Sequence, residues 1–176
     1  MASLSLQVQR VTRGLDAEVA SLWSEVLRKG LDAALVVTAD HGHITVPPGS
    51  MVQLPQDALD CLEYANLGVH GKGRHAVFHC RSGREDEFEA AWRRDPRLCA
   101  SFILLRVADA IGLGLFGPDD PLPRVRPRLG DYISLSLNAD TLSSPAECRK
   151  YRHRVQGAHG SLTREEMRIP FVLVST

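Results

Sequence analysis

Residues 33–38, AALVVT, form an unbroken apolar run that stops at Asp40-His41-Gly42, and no other feature narrows the fold as much. A strand with one face in water alternates apolar and polar residues, whereas a run without alternation fits a parallel strand covered on both faces. Covering two faces takes layers of helix, so the run predicts an α/β chain. In open sheets of that kind, ligands bind at the carboxyl ends of the strands. Asp40 and His41 stand at that end, where the alternation has broken and adjacent side chains can face one crevice. Gly42 lets the backbone turn sharply behind them. A carboxylate beside an imidazole suits zinc or another borderline divalent ion.

The flanking sequence supports the layered reading. From Asp16 onward, Val19, Leu22, Trp23, Val26 and Leu27 follow the spacing of one helix face, and Lys29-Gly30 is a plausible stop. Val8, Val11 and Leu15 carry the pattern further back, although Gly14 weakens that extension. HAVFHC (75–80) is a second strand candidate, and REDEFEAAW reads as a helix with acids near its positive end. Residues 101–105 make a third strand candidate and 108–113 a short helix ending in glycines. GPDDPLPRVRPRLGD, with its prolines, is a loop. In residues 132–137, Ile133, Leu135 and Leu137 alternate with serines, which suits a half-buried strand. Thr163 and Glu166 have capping-box spacing, and Pro170 opens a last strand, FVLVS. Strands alternate with helices and no internal repeat is present. The expectation is one αβα-layered domain over residues 1–176, with a mostly parallel sheet.

Charge excludes some partners. Lys+Arg and Asp+Glu both total 21, so no overall basic field is available to hold a nucleic-acid polymer or an anionic membrane. Cysteines stand at 61, 80, 99 and 148 without a C-x-x-C pair, which argues against a structural zinc ribbon. Neither signal-peptide regions nor an 18-residue apolar run is visible, so a cytoplasmic chain with reduced thiols and no membrane span is expected.

Two further segments carry chemistry. FHCRSGRED places Cys80 after a strand and before an Arg/Gly loop and a helix, where a thiol pKa would fall and an anion could be cradled. CRSGR resembles the active loop of rhodanese sulfurtransferases, which makes Cys80 a candidate nucleophile. The Cys-x5-Arg spacing of cysteine phosphatases fails, because Asp86 occupies that position, and a long stretch with its own strands follows the loop, so Cys80 is read as a buried strand-end cysteine before a surface turn rather than a nucleophile. GAHGSL holds His159 between glycines, free to reach inward just before the final strand.

Taken together, VVTADHG, GLFGP, RPRLGD and HGSLTREEMRIPFVLV resemble, in order, segments of the alkaline phosphatase superfamily, in its type I phosphodiesterase/nucleotide pyrophosphatase branch. RHAVFHCRSGREDEFEAAW fits a variable strand–helix stretch of the same family. The likeness runs from about Leu15 to the end. It implies an alkaline-phosphatase-like fold and a phosphoric ester hydrolase in which a Thr or Ser attacks phosphorus beside two zinc ions about 4 Å apart. On that match Asp40 and His41 would bind one metal and His159 the other. His43 falls at a variable position and receives an outer role or none.

The resemblance also implies what to look for and not find. The family's nucleophile segment and its remaining metal ligands have no counterpart here, and Thr38 and Ser161 do not stand at the nucleophile position. The expectation is therefore a half-domain, incomplete at its N-terminal side, that is inactive alone. It would associate with a missing N-terminal half or with itself, and the complete enzyme would take a phosphodiester or nucleotide substrate. Two alternatives stay open: a non-catalytic binding module of the same fold, and a sulfurtransferase using Cys80.

Overall fold

The computed structural model describes residues 6–64, 73–144 and 157–176, and Cys148 lies outside them. In chain order the elements are α1 (Leu6–Arg28), β1 (Ala34–Thr38), β2 (Ile44–Thr45), β3 (Met51–Gln53), α2 (Gln56–Leu59) and β4 (His75–Phe78). There follow α3 (Glu85–Arg94), α4 (Pro96–Ser101), β5 (Phe102–Arg106), α5 (Val107–Gly112) and β6 (Tyr132–Ser136). The chain closes with β7 (Thr141–Ser143), β8 (Gly157–Ala158), α6 (Arg164–Met167) and β9 (Phe171–Ser175). The α/β class expected from the sequence is borne out. Its parallel pairing lies in β3 with β7, and the other described pairs run antiparallel.

The described chain divides into two compact units, one containing the chain up to Asp40 with Ile169–Thr176, the other His41–Arg168. The first holds α1 and the β1–β9 ribbon. Helix α1 begins at the earlier of the two starts its spacing allowed and ends at Lys29-Gly30, where Gly30 N–H bonds Leu27 O and Leu31 N–H bonds Val26 O. None of its residues is buried. The run read as a parallel strand covered on both faces is corrected here. β9 runs back along it in antiparallel register, with Val36 opposite Leu173 and Thr38 opposite Phe171, and both strands stay largely open to solvent. The composition still has the two-sided apolar character of a covered strand, but no layer among the described residues buries it.

The second unit has a true core. β4, β6 and β5 form an antiparallel sheet with β6 in the middle. Helix α3 lies on one face, where Phe88 sits 5.0 Å from Phe78 and 5.3 Å from Tyr132, and Trp92 lies edge-on to Phe102. Glu85, Asp86 and Glu87 at the start of α3 and Arg93 and Arg94 at its end complement the helix dipole. Asp95 then caps α4 by accepting from Arg97 N–H and Leu98 N–H. In β6 the alternation holds but its leucine side is not the deeper one. Ser134 and Ser136 share the α3 face with Tyr132 and are buried, whereas Leu135 is half-buried and Leu137 exposed beside a groove of about 470 Å³ lined by Ile103, Leu105 and Leu162. The small serines leave room for the aromatic cluster, and the Ser136 hydroxyl is satisfied by Asp140 O at 2.9 Å.

Candidate functional site

Two short strands bring the histidine loops together. β2 pairs β8 with Ile44 opposite Ala158 and Thr45 opposite Gly157, so the next residues out, His43 and His159, come to the same end of the ladder. His159 stacks on His41, with ring centroids 3.6 Å apart and planes 10° from parallel. The His43 ring lies 5.4 Å from His159 and 6.2 Å from His41. His41 Nδ1 is 2.7 Å from Gly42 O, so a proton on Nδ1 donates to that carbonyl and leaves the lone pair on Nε2. His41 and His159, proposed from separate segments of sequence, are neighbours in space. Asp40, two residues after β1, belongs to the first unit and His41 opens the second. His43, given an outer role or none, joins the imidazole cluster. The one sequence signal for it was its spacing, two residues from His41 in a segment that turns into strand.

The loop that carries His159 is fastened by a buried ion pair. Arg74 and Glu166 side chains are 0% and 1% exposed, with Arg74 Nε 3.1 Å from Glu166 Oε1 and Nη2 2.6 Å from Oε2. The third guanidinium nitrogen, Nη1, donates to Asn138 O and to Asp140 O. Glu166 Oε1 also accepts from Ser161 N–H at 3.0 Å, and Oε2 from the Thr163 hydroxyl at 2.5 Å. Burial by itself would raise the Glu166 carboxyl pKa, but the hydrogen bonds from Arg74, Thr163 and Ser161, with the Arg74 charge, outweigh it and lower it to about 2. Here the capping-box reading is corrected. Thr163 makes no side-chain cap to α6, and its hydroxyl turns to the Glu166 carboxylate, which a buried arginine has drawn inward. The pairing of Thr163 with Glu166 was legible; Arg74, far away in sequence, was not.

Gly42 and Glu166 meet backbone to backbone. Gly42 N–H donates to Glu166 O at 2.7 Å, and a Cβ on residue 42 would stand 1.8 Å from Glu165 O. Only glycine allows that approach. Ser161, within the HGSLT motif, is 5% exposed and its hydroxyl donates to Ser136 O at 2.7 Å, so it is tied into the fold.

Cys80 does not have the character of a reactive thiol. It is buried, and burial, with the charges of Asp131 and Glu85, pushes its pKa up to about 12. The guanidinium of Arg84, in the loop that was to activate it, reaches toward Cys61 instead. The sulfurtransferase alternative loses its low-pKa nucleophile.

Solved structures named as an ectonucleotide pyrophosphatase/phosphodiesterase and a phosphonoacetate hydrolase have a similar architecture. Human ectonucleotide pyrophosphatase/phosphodiesterase 5 aligns with a TM-score of 0.70 at 16% identity over 98% of this chain and 42% of its own. The chain shares part of that protein's fold. An inactive variant of the murine protein, solved in complex with AMP, aligns with a TM-score of 0.68 at 15% identity over 96% of this chain and 41% of its own. Phosphonoacetate hydrolase from Sinorhizobium meliloti 1021, in complex with phosphonoformate, aligns at 0.54 and 23% identity over 82% and 37%. No family model and no curated relative matches the sequence. The resemblance to the alkaline phosphatase superfamily is thus borne out at the level of fold, and the chain spans about two fifths of the length of these structures. Among the described residues no helix is long and apolar enough to cross a membrane.

Proposed function

We propose that this chain contributes part of the active site of a metal-dependent phosphodiester or pyrophosphate hydrolase, and that it is inactive until the rest of the fold is supplied. The observation that carries the reading is the stack of His159 on His41 at 3.6 Å within a fold shared with a nucleotide pyrophosphatase/phosphodiesterase.

The sequence resemblance implies zinc, which takes imidazole nitrogen and carboxylate oxygen ligands. Imidazole nitrogens, with the Asp40 carboxylate adjacent in sequence, are the right donors for zinc. Their number is not sufficient: among the described residues no group of three or more His, Cys, Asp or Glu side chains is arranged to hold an ion. The residues therefore fit as a share of a site. Asp40 and His41 would hold one metal and His159 the other, and the metals when bound would polarise a phosphoryl oxygen. His41 Nδ1, bonded to Gly42 O, fixes the ring orientation that presents Nε2. The Ser161 hydroxyl is committed to Ser136 O, so the attacking group is assigned to a segment other than this loop.

Completion is assigned to a polypeptide carrying the remainder of the layered sheet. β1 and β9 pair only with each other among the described strands. Both faces of β9 are apolar, with Phe171 72% and Leu173 59% exposed on one and Val172 49% and Val174 37% on the other, so each outer edge and face is suited to a further strand or helix layer. A second copy of the chain is the competing occupant.

Elemental mass spectrometry of the purified chain, without chelator, tests the proposal. Fewer than about one zinc ion per chain is expected alone, rising toward about two, with hydrolysis of a bis-aryl phosphodiester, when the complementary part of the fold is co-expressed. Metal-independent folding of the completed assembly, with no zinc and no effect of His159→Ala, would favour the non-catalytic module instead.

A further inference from the structure

We infer that Glu166 is a positioning residue that sets the spacing of His41 and His159 by holding both of their loops at once; its value for metal binding rests on the reading of those histidines as ligands. Two different groups of the one residue do the holding. The carboxylate Oε1 accepts from Ser161 N–H, two residues after His159, at 3.0 Å. The backbone carbonyl accepts from Gly42 N–H, next to His41, at 2.7 Å. No described strand ladder includes His41 or His159, and the β2–β8 pairing reaches only Ile44 and Ala158.

The carboxylate can serve as a fixed point because it cannot turn. Arg74 grips both oxygens in the forked geometry that a guanidinium offers a carboxylate. Arg74 is itself anchored by Asn138 O and Asp140 O, and its own carbonyl accepts from Ser136 N–H of β6. The order of attachment therefore runs from the central strand of the sheet, through Arg74 and Glu166, to both histidine loops. Neither charged side chain is exposed, so water does not compete for these bonds. Stability alone is a poor reason for such a pair, because replacing a buried ion pair with apolar residues is often neutral. A directional acceptor aimed at Ser161 N–H, by contrast, has no apolar substitute.

The test uses the whole chain, metal-free, and reads the nuclear Overhauser effect between the imidazole protons of His41 and His159. The double variant R74M/E166M removes both charges and leaves no buried ion unpaired. It is expected to keep its circular dichroism spectrum while the His41–His159 signal falls several-fold. R74M/E166Q returns a carbonyl acceptor to Ser161 N–H and should restore most of the signal, which a purely structural role would not do. Gly42→Ala leaves the ion pair intact but forces the residue 42 and residue 165 backbones apart, and should also weaken the signal. In a zinc titration of the same proteins, R74M/E166M and Gly42→Ala should bind roughly 10–100-fold more weakly than the parent. A signal of parental strength in both would overturn the inference, as would loss of fold in both. A signal that falls as expected, in a parent that binds no zinc, would keep the positioning role and overturn the metal reading instead.

Discussion

The ribbon of β1 and β9 and the sheet of β4, β6 and β5 are both built from mostly apolar strands and have opposite surroundings. In the sheet, Phe78, Phe102 and Tyr132 are buried against Phe88, Trp92 and Leu98. In the ribbon, every residue of β9 is exposed although four of its five residues are apolar. Apolar composition therefore reports what a strand is suited to touch, and the described residues bury one set of strands and leave the other exposed. The His41–His159 stack lies in the unit with the core.

Four measurements would sharpen or break this contrast. Phe88→Ala, in the centre of the aromatic cluster, should cost about 3–5 kcal/mol in urea unfolding, because it deletes a large side chain that has no solvent-exposed surface. A loss below about 1 kcal/mol would mean the sheet is not packed as described. Arg74→Ala leaves the Glu166 charge buried without its partner and should cost about 3–5 kcal/mol, with retained stability contradicting the burial of the pair.

A smaller effect is expected from acid. The Glu166 carboxyl is lowered from 4.5 to about 2 in the folded chain, so its contribution is fully present above the unfolded value. It is lost progressively as pH falls from about 4.5 toward 2. The urea midpoint should drop across that window in the parent and drop less in R74M/E166M; identical profiles would show that Glu166 does not titrate as described. The smallest effect belongs to the ribbon. Phe171→Ser should change unfolding free energy by no more than about 0.5 kcal/mol while weakening any self-association seen by sedimentation. A loss comparable to that of Phe88→Ala would erase the distinction between the two regions.

Much of this organisation was legible in the residues. Local pattern located α3 and the strands β1, β4, β5, β6 and β9 to within two residues and the end of α1 at Lys29-Gly30, whereas β2, β3, β7 and β8 were not read. TADHG and HGSLT, far apart in sequence, led to two histidines that stack. What escaped depends on partners distant in sequence. The spacing of Thr163 and Glu166 is that of a cap, and only the arrival of Arg74 beneath the loop turns the carboxylate into an anchor. The serine side of β6 lies deeper than polarity alone suggests because α3 lays Phe88 and Trp92 across that face. His43 joined the cluster through the register of β2 with β8, two strands too short to leave a pattern.

Gly157 has a consequence of a different kind. A methyl group there would sit 2.9 Å from the His43 ring, so the hydrogen at that position is what grants His43 its place beside His159. A side chain at residue 157 would meet the His43 ring first, ahead of Ile44 O at 3.4 Å. For protein engineering, that makes a position outside the three histidines a handle on the space left for one of them.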